Sequence, residues 1–126
     1  MTNPTGNNLH TTFALAKAQG ACAEGYKAMA RVLGGVKAYG EHTPIPLTRI
    51  ALEGRGRGDA LWCLRAVLPE EETARDRIER HLAADYAEHV LPNFEALFPD
   101  DDRPRTAIAV ARLFADGLAT EEELSA

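Results

Sequence analysis

With 126 residues and a mass of 13.7 kDa, the chain has the length of one domain, able to bury roughly two-thirds of its extended surface in a single core. A hydrophobic share of 45% and a charged share of 26% exclude a disordered chain or a fibre, and no apolar run approaches the ~20 residues of a membrane span. The net charge of −5 is unevenly spread: eight Lys and Arg face four acids over residues 1–68, whereas six Arg face fifteen acids over 69–126. An acidic half of that strength repels nucleic acid and anionic membrane and favours fast association with a basic protein surface, beside the plainer role of solvating helix faces.

The polar opening MTNPTGNNLH is not a signal peptide, and residues 1–11 read as a flexible tail ahead of a single helical domain over 12–126. Cys22 and Cys63 form no metal-type pair and read as free thiols of a cytoplasmic protein. Together, 22 Ala and 14 Leu against 5 Val and 4 Ile favour helix over sheet. From Thr12, an apolar stripe of Leu15, Ala18, Cys22, Tyr26, Met29, Leu33 and Val36 has the spacing of one helix face, ended by Gly34-Gly35. Gly40 to Pro46 is a connection, and Leu47 to Glu53 forms two turns stopped by Gly54.

Gly54-Arg55-Gly56-Arg57-Gly58 breaks the chain, and Asp59 is placed to cap a helix over residues 60–67. Without a preceding strand or a Gly-Lys-Ser/Thr ending, the glycine run is no phosphate loop; two arginines are a thin footprint for RNA, and a hinge with solvated arginines suffices. Pro69 with Glu70, Glu71 and Glu72 is a strong helix start. That helix carries Ile78, Leu82, Tyr86, Val90, Phe94 and Phe98 at every fourth residue, with a kink or a new helix expected at Pro92. Asp100, Asp101 and Asp102 lie in a turn, Pro104 opens the next helix, Gly117 stops it, and Thr120 to Glu123 fits a capping box. The expected fold is all-α, a compact bundle of about five helices with no sheet. Trp62, Leu64, Ile78, Tyr86, Phe94, Ile108 and Phe114 are the expected core.

Chemistry-bearing residues are sparse. His81, Asp85 and His89 share a helix face, yet a rise of ~1.5 Å per residue separates the outer pair by about 12 Å, too far for one ion. Cys63 sits in an apolar run and Ser125 at a fraying end, so no nucleophile–base pair is evident. The expectation is therefore no enzyme, no catalytic residue, no metal and no cofactor; a His/Asp metal hydrolase and a nucleic-acid binder using Arg55, Arg57 and the lysines at 17, 27 and 37 are the weaker alternatives.

Three blocks, Gly58 to Val67, Ala87 to Glu95 and Pro99 to Ile108, resemble the helical immunity-protein domain found in bacterial polymorphic-toxin systems and in phages and prophages. The resemblance covers about residues 47–126. It implies an α-helical protein that works by binding, neutralising a toxin by covering its basic or active surface, and it supplies no catalytic residue. A small acidic protein with this domain fits equally a phage-encoded inhibitor of a host defence complex, of the anti-CRISPR type. In either case the partner is a protein, with no membrane and no direct nucleic-acid contact. Glu70, Glu71, Glu72, Asp100, Asp101 and Asp102 are the expected contact residues, since both clusters lie at loops where side chains reach outward.

Overall fold

Pro44 and Pro46 push the residues before them out of helical geometry, and the extended segment that results finds a partner. In the computed structural model, which describes residues 8–125, strand β1 (His10–Thr11) pairs antiparallel with β2 (Ile45–Pro46), Thr11 opposite Ile45. Thr11 also bridges to Val67, and Leu68 N–H donates to His10 O at 3.0 Å. The chain is mostly helical, but the expectation of no sheet is corrected by this small ladder. Two-residue strands have no alternation to read, which is why the sequence did not announce them. Of the tail reading, residues 1–7 lie outside the described residues. Residues 9–11 are corrected: Leu9 and Thr11 are buried, the latter with its Oγ1 donating to Ala66 O at 2.6 Å.

The described residues form eight α-helices rather than about five. The first predicted helix is divided into α1 (Phe13–Ala18), α2 (Ala23–Leu33) and α3 (Val36–Tyr39). Gly20 takes φ +82° after α1, and Cys22 leaves the helical stripe to cap α2, its Sγ accepting from Gly25 N–H at 3.4 Å. Gly34 closes α2 in the left-handed conformation, as its position predicts. Next come α4 (Leu47–Glu53), with the predicted bounds, and α5 (Arg57–Trp62), continued by a 3-10 turn over Cys63–Ala66. Asp59 does not cap the helix over 60–67: α5 begins two residues earlier, and Asp59 instead binds Arg55. A 3-10 turn over Pro69–Glu71 leads into α6 (Glu72–Leu97), which runs through Pro92 without a new start. The last helices are α7 (Arg103–Ala115) and α8 (Glu121–Ser125).

Contacts divide the stretch read as one domain into two compact units, residues up to Arg75 and residues from Asp76. The first holds nearly all of the core: Phe13, Ile45, Ile50 and Thr11 are the most deeply buried side chains. Phe13 meets Tyr26 and Tyr39 edge-on at 5.3 and 6.1 Å. Among the described residues of the second unit only Ala84 and Leu91 are fully buried. The expected core is thus corrected. Trp62, Leu64, Ile78, Phe94, Ile108 and Phe114 are half-buried, and Tyr86 is exposed.

The reason is geometric. At 3.6 residues per turn, each step of four advances the face by about 40°, so the every-fourth stripe winds away from the inside. The face actually covered on α6 is Ile78, His81, Ala84, Ala87, Leu91 and Phe94, in steps of three and four.

Candidate functional site: the α6–α7 end of the second unit

The second unit carries five arginines against twelve carboxylates, a net charge of −7. Every one of those arginines has a partner within the unit. Arg105 forks onto Glu95 at 2.9 and 2.6 Å, Arg112 holds Asp85 at 2.8 Å and also Glu88, and Arg77 reaches Asp116 at 2.9 Å. His81 Nε2 joins the same Asp116 oxygen at 2.8 Å, and Arg80 lies over the Phe114 ring at 4.6 Å. The order of these pairs, 95 with 105, 88 with 112 and 77 with 116, sets α6 and α7 antiparallel as a hairpin. Hydrogen bonds from Arg105 hold the Glu95 carboxyl below its usual range, and His81, then Arg77, do the same for Asp116.

The fifth arginine fixes the turn. Arg103 donates to Asp101 through Nε and Nη2 at 2.8 and 2.6 Å, and its backbone N–H bonds the same carboxylate at 3.1 Å. Those bonds lower the Asp101 carboxyl to about 2. Asp101 N–H closes back on Phe98 O at 3.1 Å, and Asp102 O accepts from Thr106 as α7 starts. Asp100 and Asp102, by contrast, form no ion pair among the described residues. Beside them the α6 end is apolar and open to water: Leu97 is 75% exposed and Phe98 54%, the latter stacked on Phe94 at 5.0 Å.

Farther along α6, Tyr86 (61% exposed) and Val90 (55%) precede Leu97 by eleven and seven residues. At about 100° per residue these three lie within some 40° of one another, a second apolar stripe facing solvent. Sequence reasoning missed it because Tyr86 and Val90 fall in the every-fourth stripe, Tyr86 is expected in the core, and Leu97 carries no assignment. The available signal was that two apolar faces share one helix, one in steps of three and four and the other at 86, 90 and 97. Large apolar side chains with an acidic rim are the composition of a protein-contact patch, because the apolar part gains by leaving water and the charges orient the approach.

The six predicted contact residues are divided between the two units. Glu70, Glu71 and Glu72 belong to the first unit, Asp100, Asp101 and Asp102 to the second. Glu71 serves the fold: its carboxylate accepts His10 N–H at 2.6 Å and His10 Nδ1 at 2.7 Å, with 16% of the side chain exposed. As an ionised carboxylate is acceptor-only, Nδ1 carries the proton. Glu70 and Glu72 are exposed at the start of α6.

Of the metal-type series, His81 and Asp85 are engaged by Asp116 and Arg112, His89 is exposed, and no three His, Cys, Asp or Glu come together among the described residues. Arg55, read as solvated, is tied to Asp59 by two hydrogen bonds of 2.8 and 2.9 Å. Burial pushes the Cys63 thiol up to about 11. No helix among the described residues is long and apolar enough to cross a membrane.

Residues 72–125 match the family model described as "Imm-5 like putative immunity protein". The match takes in α6, α7 and α8, close to the bounds of the second unit. The blocks at 87–95 and 99–108 fall inside it, and the block at 58–67 lies before it. No curated protein and no solved structure matches the chain.

Proposed function

We propose that this protein is a non-enzymatic inhibitor that binds a basic protein surface, in the manner of an immunity protein on a toxin, and blocks it sterically and electrostatically. The observation that carries the reading is the α6–α7 end of the second unit, where Asp100 and Asp102 have no ion-pair partner among the described residues and stand beside exposed Leu97 and Phe98. The internal arginine ladder leaves the excess negative charge of this unit facing outward, where it speeds encounter with Lys- and Arg-rich surfaces. Apolar side chains at the centre of the contact then hold the complex, as anchors do at hot spots. The immunity-family match over residues 72–125 covers these same elements and supports a function exercised by binding. No cofactor or metal enters this mechanism.

Glu70 and Glu72 can add charge to the approach, whereas Glu71 and Asp101 are engaged by His10 and Arg103 and contribute little directly. The test begins with the partner captured by crosslinking in the native host, a toxin or a defence-complex subunit, then purified. Association is followed by stopped flow for the natural chain and for Asp100→Lys/Asp102→Lys. The reading expects association slower by about tenfold or more at low salt, with a flatter salt dependence and unchanged helicity. Equal rates for the two chains would move the contact elsewhere.

A further inference from the structure

The first unit contains a pocket of about 280 Å³ that the inhibitory contact does not use. Phe13, Tyr26, Met29, Ile50 and Trp62 contribute apolar surface to its wall, and Arg55 lines it with Asp59. A dry apolar cavity of about 150 Å³ holds one benzene, so this volume suits two fused rings.

The two threonine hydroxyls of the inner wall are already engaged within the protein. Thr11 Oγ1 donates to Ala66 O, Thr12 Oγ1 accepts from Leu15 N–H at 3.0 Å, and no buried side-chain N or O among the described residues lacks a partner. Among the described residues that line the pocket, Arg55 and Asp59 are the only charged side chains, so a charged group of a ligand meets that pair. Arg55 commits Nε and Nη2 to Asp59, while Nη1 has only Glu24 at 3.8 Å, beyond hydrogen-bond range and on a solvent-exposed carboxylate. That nitrogen is a donor left for an anion, and the first unit is net positive, nine Lys and Arg against seven acids.

We propose that this pocket binds a small aromatic carboxylate of one or two rings, the rings packed against Phe13, Tyr26 and Trp62 and the carboxylate on Arg55. A planar ring system gains from edge and face contacts with three aromatic side chains, and a bond from the Arg55 Nη1 N–H to a carboxylate is charge-assisted.

The test uses 1-naphthoate, neutral 1-naphthalenemethanol and 1-naphthylmethylamine as probes on the full chain, by isothermal titration. Naphthoate is expected to bind one to one, about tenfold tighter than the alcohol, and Arg55→Met should erase that advantage while leaving the alcohol's affinity in place. Ala16→Phe, which fills the pocket, should weaken every probe at least tenfold with the circular dichroism spectrum unchanged; Ala21→Leu replaces it if that variant misfolds. Equal affinity of acid and alcohol, or tighter binding of the amine, overturns the assignment of Arg55. No binding of any probe overturns the site, and if the filling variants then also lose the protein partner, the pocket is a socket for a partner side chain instead.

Discussion

Reversing the three glutamates at the start of α6 one at a time separates their roles, because the structure gives them unequal work. Glu71 accepts two hydrogen bonds from His10, one of them from the backbone N–H of β1. Bonds to a charged group contribute about 1.5–3 kcal/mol each. Both side chains keep some contact with water, so the low end applies, and Glu71→Lys should cost about 3 kcal/mol. Glu70 and Glu72 are exposed and act mainly through the helix macrodipole, so Glu70→Lys and Glu72→Lys should each cost under about 1 kcal/mol. Urea unfolding followed by the fluorescence of Trp62, which lies in the same unit as Glu71, reads the difference. With m of about 1–3 kcal/mol/M, the Glu71 variant should unfold at a midpoint lower by about 1 M or more. Midpoints for the three variants agreeing to within the error of the fit would refute the claim that Glu71 ties β1 to the helix start.

Three further outcomes follow from other parts of the molecule. Ile50→Ala, at a site 1% exposed, should destabilise by about 2–5 kcal/mol, whereas Leu52→Ala on the solvent side of α4 should stay within about 0.5 kcal/mol; denaturant midpoints compare them. The Cys63 thiol ionises near its ordinary 9.0 when unfolded but only at about 11 when folded, so above pH 9 the unfolded state loses protons first and stability falls across pH 9–11. Cys63→Ala should flatten that stretch of the stability curve relative to the natural chain, and an unchanged slope would contradict the assignment. Thr120 and Glu123 cap each other through two backbone N–H bonds of 3.1 Å. Thr120→Ala should therefore cost about 1 kcal/mol and speed amide exchange in α8 alone, as read by NMR.

Local rules were legible wherever one residue decides the backbone. Gly34 ending α2, the bounds of α4, Pro69 and Pro104 at helix starts and the Thr120–Glu123 box all follow from caps and prolines that act within a turn. What escaped depends on partners far along the chain. Nothing near residue 10 announces that it will pair with Pro46 and be held by Glu71, so a strand was read as tail. Cys22 looked like one more member of an apolar stripe because the break at Gly20 requires only one left-handed glycine. On α6 the arithmetic of 3.6 residues per turn was decisive: the every-fourth pattern seemed continuous but carried Tyr86 and Val90 out to solvent. Of the candidate site, the Asp100–Asp102 turn was legible from charge. The apolar stripe beside it and the pairing of Asp101 with Arg103 were not, since both depend on which face the hairpin covers.

The claim that inhibition occurs by occlusion through the α6–α7 end is tested most directly by titrating the purified partner's activity with this protein. The account predicts a linear fall to an end point at one equivalent, and for Leu97→Ser/Asp100→Lys/Asp102→Lys a shallow curve displaced by at least tenfold in concentration. Inactivation of many partner molecules by one of this protein, or an undisplaced curve for that variant, would contradict it.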